Sequence, residues 1–171
     1  MQRKQILVTG GAGYIGSHTI VTLIEEGYDP VILDDFRNAN SGVINRLQVL
    51  TKRNIPVYNF SCCDADKLIQ LFEKYEFAGV IHFAADKAVG ESVANPLKYF
   101  DNNIGGLISL LKAITQHPNT KLVFSSSCTV YGNPASYPVK ESFPLGFNSP
   151  YGFTKLCNEQ MLEQFYNAFP N

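Results

Sequence analysis

Short apolar runs of strand length alternate along this chain with longer segments in which apolar residues recur at helical spacing. The strand-length runs cover residues 5–9, 31–33, 56–60, 79–84 and 121–124, and the helical segments cover 14–26, 43–51, 67–75, 95–116 and 150–169. Such alternation is typical of a parallel sheet with helices packed on it. The pattern therefore predicts an α/β fold, a doubly wound parallel sheet of the Rossmann type, whose ligand binds at the carboxyl ends of the strands.

Composition and charge narrow the class of protein. The 171 residues suit one domain, 45% of them are hydrophobic, and the formal net charge is −1. This balance argues against nucleic acid as a partner, and no apolar run approaches the roughly 20 residues of a membrane span. The first residues lead directly into a strand, which leaves no room for a targeting peptide. Cysteines and histidines lack metal-ligand spacing, so we predict no metal site and, with reduced thiols, a cytoplasmic protein.

A glycine-rich turn follows the first predicted strand and opens the first predicted helix. It can be read as Gly11-x-Gly13-x-x-Gly16 or as Gly10-x-x-Gly13-x-x-Gly16. Glycines let such a turn tighten and bring backbone N–H groups close to a pyrophosphate at the helix N-terminus. Asp34 follows the second strand, 18 residues after Gly16, where a carboxylate accepts hydrogen bonds from a ribose 2′-hydroxyl and repels a 2′-phosphate. Together these features predict a dinucleotide site that prefers NAD to NADP.

The last predicted helix begins with a tyrosine and a lysine four residues apart, Tyr151 and Lys155. That spacing places phenol and ammonium on one helical face, where the positive charge favours the phenolate. Tyr151 is then a candidate general base for an alcohol that loses hydride. Ser125, Ser126 and Ser127 follow the fifth strand, and a hydroxyl there is placed to hold the oxygen of that alcohol. A surface pair and a flexible serine turn are the alternatives that these residues leave open by themselves.

Further motifs are spread over essentially the whole chain, and the most specific is Ala-Val-Gly-Glu-Ser at 88–92. The others are Val-Thr-Gly-Gly-Ala-Gly-Tyr-Ile-Gly-Ser-His at 8–18, His-Phe-Ala-Ala at 82–85, Tyr-Phe-Asp-Asn-Asn at 99–103, Phe-Ser-Ser-Ser-Cys-Thr-Val-Tyr-Gly at 124–132 and Ser-Pro-Tyr-Gly at 149–152. As a set they resemble the extended short-chain dehydrogenase/reductase family, and within it the NAD-dependent epimerases of nucleotide sugars.

The resemblance implies roles for individual positions. Ser127, Tyr151 and Lys155 match the family's catalytic residues, and Ser127 and Tyr151 would also contact the substrate. Asp34 and Asp35 match its adenosine-ribose contacts. The other positions that match NAD contacts are Gly10, Gly13, Tyr14, Ile15, Gly16, Asp64, Phe83, Ala84, Ala85, Lys87, Asn102 and Ser125, together with Tyr151 and Lys155 themselves.

The resemblance also implies an activity, the interconversion of UDP-glucose and UDP-galactose through transient oxidation at sugar C4. A UDP-sugar is then the expected substrate, with a homodimer as the full-length assembly and a C-terminal substrate domain missing after Asn171. Dehydratases of the family carry Asp-Glu after the catalytic hydroxyl, where this chain has Cys128 and Thr129, so dehydration is disfavoured. Two alternatives stay open: an epimerase of UDP-N-acetylglucosamine, UDP-glucuronate or a UDP-pentose, and a non-catalytic NAD-sensing protein of the same fold.

Overall fold

The structure, a computed structural model, describes residues 3–170. Its internal contacts divide the chain into two compact units. The first unit contains the chain up to Ala84 together with Ser109–Ser125, and the second contains Ala85–Ile108 and the chain from Ser126 onward. Within residues 3–170, no helix combines the length and the apolar character that crossing a membrane requires.

The first unit is built on a five-stranded parallel sheet. Its strands are β1 (Gln5–Thr9), β2 (Asp29–Leu33), β3 (Val57–Tyr58), β4 (Phe77–His82) and β5 (Lys121–Phe124). They are ordered β3-β2-β1-β4-β5, and every neighbouring pair runs parallel. This is the strand order of a doubly wound nucleotide-binding sheet, so the predicted fold class is confirmed. Ligands of such sheets bind at the carboxyl ends of the strands, where the order reverses beside β1.

Three helices of the first unit are α1 (Tyr14–Glu25), α2 (Gly42–Thr51) and α3 (Ala65–Lys74). Ile6, Val8 and Ile32 of the sheet form one core cluster with Ile20 of α1 and Leu47 of α2. The alternate residues of β1 and β2 are also buried, so these two strands are covered on both faces. Strands buried on both faces are expected to read as continuous apolar runs, which is why the sequence revealed them.

Strand boundaries differ from prediction mainly in β3 and β4. β4 begins at Phe77, earlier than predicted, because that ring is buried against Phe72 of α3 with centroids 5.2 Å apart. It ends at His82, before the predicted limit of residue 84. β3 has two paired residues because β2, its one neighbour, ends at Leu33.

The second unit contains α4 (Val89–Ala94), α5 (Pro96–Tyr99), a π-helical turn (Phe100–Ile104), the start of α6 (Gly105–Thr115), a 3₁₀ turn (Cys128–Val130) and α7 (Pro150–Ala168). The single helix predicted over 95–116 is therefore present as three consecutive pieces. The prediction missed α4, because six residues are too few for a helical period to be recognised. It also missed the π-helical turn, whose extra residue per turn leaves no distinct pattern of apolar positions.

Candidate functional site

The glycine-rich turn between β1 and α1 closes on itself through backbone hydrogen bonds. The N–H of Gly10 donates to the carbonyl oxygen of Leu33 at 2.8 Å, and the N–H of Gly13 donates to that of Gly10 at 3.1 Å. Gly13 is the N-cap of α1 and, having no side chain, covers none of the N–H groups of the first turn. The turn therefore presents an open helix N-terminus, which suits a ligand that carries phosphate.

Close backbone approach explains why positions 10 and 16 hold glycine. Gly10 has φ +68°, and a Cβ there would lie 2.7 Å from the backbone nitrogen of Ala84. A Cβ on Gly16 would overlap the carbonyl oxygen of Gly10 and lie 2.8 Å from the Cα of Gly11. The neighbouring atoms belong to the backbone and cannot rotate away as a side chain can, so both positions require glycine.

Gly16→Ala is expected to destabilise the protein by roughly 1–3 kcal/mol, because the added methyl group forces the backbone of the turn to move. Gly105→Ala is the matched control, since a Cβ there meets no atom within 4 Å and alanine favours a helix by up to about 1 kcal/mol. Equilibrium unfolding in urea measures both free energies. Equal stabilities of the two variants would contradict the packing described for the turn.

Asp34 connects the end of β2 to the glycine-rich turn. Its Oδ2 accepts a hydrogen bond from the N–H of Ala12 at 3.0 Å, and its Oδ1 accepts one from the N–H of Phe36 at 2.9 Å. Burial raises the pKa of this carboxyl, and the two backbone N–H groups act in the opposite direction. Each oxygen keeps a second lone pair, so the carboxylate can accept a ribose hydroxyl while it holds the turn. The ribose contact itself stays a prediction.

Two other predicted cofactor contacts, Asp35 and Asp64, are bound to neighbouring basic residues. Nε of Arg37 donates to Oδ2 of Asp35 at 2.6 Å. Asp64 is the N-cap of α3, where its Oδ1 accepts from the N–H of Lys67 at 3.2 Å and its Oδ2 lies 2.7 Å from Nζ of Lys67. The hydrogen bonds from Lys67 lower the pKa of the Asp64 carboxyl. Contacts of these two acids to a dinucleotide stay predictions.

The residues after β4 lie beside the end of β1, at the carboxyl edge of the sheet. The N–H of Phe83 donates to the carbonyl oxygen of Thr9 at 3.0 Å, and Ala84 is the residue that a Cβ on Gly10 would meet. Oγ1 of Thr9 lies 2.7 Å from Nδ1 of the buried His82. The N–H of Ser125, after β5, donates to the carbonyl oxygen of His82 at 3.1 Å. Predicted cofactor residues from three strands thus share this edge.

The predicted general base, Tyr151, occupies the first turn of α7 in the second unit. Ser149 caps this helix, with its Oγ accepting from the N–H of Gly152 at 3.1 Å, and Pro150 takes the first helical position. The Tyr151 ring is largely buried and packs edge-on against that of Tyr99, with centroids 6.5 Å apart. The cap and the aromatic contact together limit the positions that the phenol can adopt.

Ser127, predicted to contact the substrate, is engaged by a residue that the prediction missed. Its Oγ accepts hydrogen bonds from Oγ1 of Thr129 at 3.0 Å and from the N–H of Thr129 at 3.3 Å. With both acceptor sites occupied, the hydroxyl proton of Ser127 is available for donation. The same turn packs on α7, since a Cβ on Gly152 would lie 3.1 Å from the carbonyl oxygen of Thr129. A second hydroxyl residue two positions after Ser127 was the available signal.

Lys155, one helical turn after Tyr151, is only 4% exposed. Burial lowers the pKa of its ammonium group to about 8, and the carboxylate of Glu159 acts in the opposite direction. The group is therefore still mostly protonated at neutral pH, close to the point at which it loses its charge. The sequence predicted the position of Lys155, but its burial depends on residues distant along the chain.

A buried hydrogen-bond network joins α7 to the π-helical turn. Asn103 is 1% exposed, and its Nδ2 donates to Oγ1 of Thr154 at 3.1 Å. Thr154 donates in turn to the carbonyl oxygen of Tyr151 at 2.7 Å, and Nδ2 of Asn158 donates to the carbonyl oxygen of Asn103 at 3.0 Å. The predicted cofactor contact Asn102 donates to Oδ1 of Asn103 at 3.0 Å. These bonds set the position of α7 along the turn.

Three further positions complete the set. Ala85 and Lys87 lie between β4 and α4, and Lys87 is exposed. Oγ of Ser126 is buried and finds no hydrogen-bond partner within the described residues, a condition that costs roughly 1–3 kcal/mol unless a ligand relieves it. Across residues 3–170, no group of three or more histidine, cysteine, aspartate and glutamate side chains is arranged to hold a metal ion.

Known proteins match this chain over nearly its whole length. Residues 7–170 match the family model described as GDP-mannose 4,6 dehydratase. The UDP-glucose 4-epimerase of Bacillus subtilis (strain 168) is 48% identical over 163 residues, which cover 95% of this chain and 48% of that protein. This chain spans about half the length of the curated relatives it matches. The resemblance inferred from the motifs is confirmed by these relatives.

Two solved structures have the same backbone arrangement. The UDP-glucose-4-epimerase of Stenotrophomonas maltophila, with bound NAD and formylated UDP-arabinopyranose, is 42% identical with a TM-score of 0.93, over 97% of this chain and 49% of that one. The UDP-glucose 4-epimerase of Bifidobacterium longum, in complex with NAD+ and UDP, is 40% identical with a TM-score of 0.95, over 98% of this chain and 50% of that one.

Proposed function

This chain belongs to the GDP-mannose 4,6 dehydratase family, and we propose that it binds NAD and provides the catalytic residues of an epimerase that interconverts UDP-glucose and UDP-galactose. The observation that carries the proposal is the arrangement around α7. Tyr151 and Lys155 lie one turn apart on this helix, and the turn that contains Ser127 packs against its first residues. The epimerase relatives, at 46–48% identity, support the same reaction.

The residues present fit the dinucleotide that this function requires. The open N-terminus of α1 would hold the pyrophosphate through backbone N–H groups, and Asp34 would hold the adenosine ribose. The unpartnered hydroxyl of Ser126 is a further polar group that a ligand would satisfy. When bound, NAD supplies the chemistry that the side chains lack, because it accepts a hydride from the sugar carbon and returns it.

The residues of the second unit would move the substrate proton. Tyr151, as phenolate, would take the proton of the C4 hydroxyl and later return it, and Lys155 lies one helical turn away on α7. Ser127 would donate a hydrogen bond to the C4 oxygen and keep its own proton, because Thr129 already occupies its acceptor sites. Thr154 would keep the tyrosine in place by binding its carbonyl oxygen.

The chain favours epimerisation over dehydration, although the family model is named after a dehydratase. Loss of water from a sugar needs an acid and a base beside the catalytic hydroxyl. The two positions after Ser127 hold Cys128 and Thr129, and neither side chain is a carboxylate. Thr129 has another task here, since both its hydroxyl and its N–H bind Ser127.

The test gives the full-length protein UDP-galactose and measures UDP-glucose by chromatography. We expect UDP-glucose to form without net release of NADH, because the hydride that the cofactor accepts is returned to the sugar. Conversion of UDP-N-acetylglucosamine, UDP-glucuronate or a UDP-pentose alone would favour an epimerase of that sugar. Bound NAD with no conversion of any UDP-sugar would favour the NAD-sensing alternative. The proposal includes the expected homodimer, which light scattering would reveal, and a cytoplasmic location.

A further inference from the structure

Asp35 and Arg37, directly after β2, form a closed pair. Nε of Arg37 donates to Oδ2 of Asp35 at 2.6 Å, and Nη2 pairs with the same oxygen. The backbone N–H of Arg37 donates to the other oxygen, Oδ1, at 3.1 Å. Nη2 also donates to Oγ of Ser61 at 3.4 Å. Both oxygens of Asp35 therefore accept hydrogen bonds from Arg37, and the guanidinium also binds Ser61.

The Asp35–Arg37 pair follows Asp34 in the chain, and the two aspartates have different hydrogen-bond donors. Asp34 accepts a hydrogen bond from Ala12 of the glycine-rich turn, whereas the hydrogen bonds to Asp35 described above come from Arg37. Burial has the largest effect on the pKa of Asp34 and raises it, and two backbone hydrogen bonds lower it. Of the neighbouring charges, Asp35 raises this pKa and Arg37 lowers it. The three charged groups thus influence one another, and because Asp35 and Arg37 neutralise each other, the cluster keeps one net negative charge.

The position of Arg37 is the one from which dinucleotide-binding folds read the adenosine 2′ substituent. A carboxylate after the second strand selects the 2′-hydroxyl of NAD, and a nearby arginine accommodates the 2′-phosphate of NADP. This chain carries both kinds of residue. We propose that Asp35 is a specificity-determining residue that acts through Arg37, by holding the guanidinium so that it does not receive a 2′-phosphate. The inference rests on the proposed NAD binding and deepens it.

Charge and geometry give this role a physical basis. If Asp35 is replaced by an uncharged residue, the net charge of Asp34, residue 35 and Arg37 changes from −1 to zero. A phosphate near Asp34 is then repelled less. The guanidinium, released from its carboxylate, presents a planar fork of N–H donors that matches phosphate oxygens. Asparagine at position 35 can still accept from the N–H of Arg37 through its Oδ1, so Asp35→Asn removes the charge without removing that bond.

The experiment equilibrates the full-length protein with an equimolar mixture of NAD and NADP and measures the ratio of bound NADP to bound NAD. Asp35→Asn should raise this ratio by at least about tenfold, the change expected for one new charge-assisted pair. Asp35→Asn combined with Arg37→Ala should lose most of the gain. Arg37→Ala alone should lower the ratio below the wild-type value, because it leaves both carboxylates without a counter-charge.

A matched control exists at the other end of β2. Asp29 pairs with Arg53 at 2.6 Å, so Asp29→Asn removes an equivalent ion pair and changes the net charge equally. It should leave the ratio unchanged.

An unchanged ratio in Asp35→Asn, a gain that persists after Arg37→Ala is added, or a rise in Arg37→Ala alone would each overturn the inference. Failure of the wild-type protein to bind either dinucleotide would instead refute the proposed function.

Discussion

Tyr151→Phe is expected to lower kcat by about 10²–10⁴-fold while the protein keeps its NAD, because the variant removes the one oxygen proposed to take and return the substrate proton. The rest of the side chain is preserved. The ring packs edge-on against Tyr99 with centroids 6.5 Å apart, and phenylalanine can keep that contact. Initial rates with UDP-galactose measure kcat, and nucleotide analysis of the denatured protein measures the bound NAD.

Tyr166→Phe is the matched control for this experiment. Tyr166 lies on the same helix, α7, but its side chain is exposed, so the loss of its hydroxyl should not change kcat. Near-normal turnover in Tyr151→Phe would remove Tyr151 from the mechanism. Loss of NAD together with turnover would show that its hydroxyl serves cofactor binding instead of proton transfer.

Lys155→Met is expected to abolish turnover and to make the protein more stable at pH 7 by about 3 kcal/mol. The gain follows from the burial of Lys155, which lowers the pKa of the ammonium from 10.5 to about 8 and so makes its charged form unfavourable in the folded protein. Methionine has a similar length and no charge, and it fills an irregular buried space well. Urea unfolding at pH 7 measures the difference in free energy of unfolding.

The pH dependence of this gain has a definite sign. Between about pH 8 and pH 10.5 the unfolded chain keeps a proton on Lys155 that the folded protein has released. The free energy of unfolding of the wild type should therefore rise with pH over this interval, relative to Lys155→Met. The difference between the two proteins is largest below pH 8 and disappears toward pH 10.5.

Lys112→Met provides the control, because Lys112 of α6 is exposed. Its substitution should change the free energy of unfolding little, because the side chain is not buried. A Lys155→Met protein that is less stable than the wild type at pH 7 would show that the ammonium is stabilised by its surroundings. In that case the charged Lys155 would not destabilise the folded protein.

Short-range sequence patterns were sufficient for the sheet and for the glycine-rich turn. β1 and β5 begin and end where the apolar runs predicted, and β1 is buried after Gln5, as expected of a strand covered on both faces. The glycines were recognisable because each close backbone contact excludes a side chain at a definite spacing. Ser149 and Pro150 likewise mark the start of α7 through local capping chemistry.

Other features depend on contacts that no local pattern records. The π-helical turn brings Asn103 to Thr154, which lies 51 residues away along the chain. The guanidinium of Arg37 likewise reaches Oγ of Ser61 from 24 residues away.

The sequence by itself determined the order of the strands along the chain, most of the helices and the dinucleotide motif, since each of these is set by residue type at short spacing, and the resemblance to a known family identified the candidate catalytic residues. Tertiary structure alone decided the burial that lowers the pKa of Lys155 and the hydrogen bond between Asn103 and Thr154. These properties depend on desolvation and on distances between atoms from separate segments, and both exist only once the chain has packed.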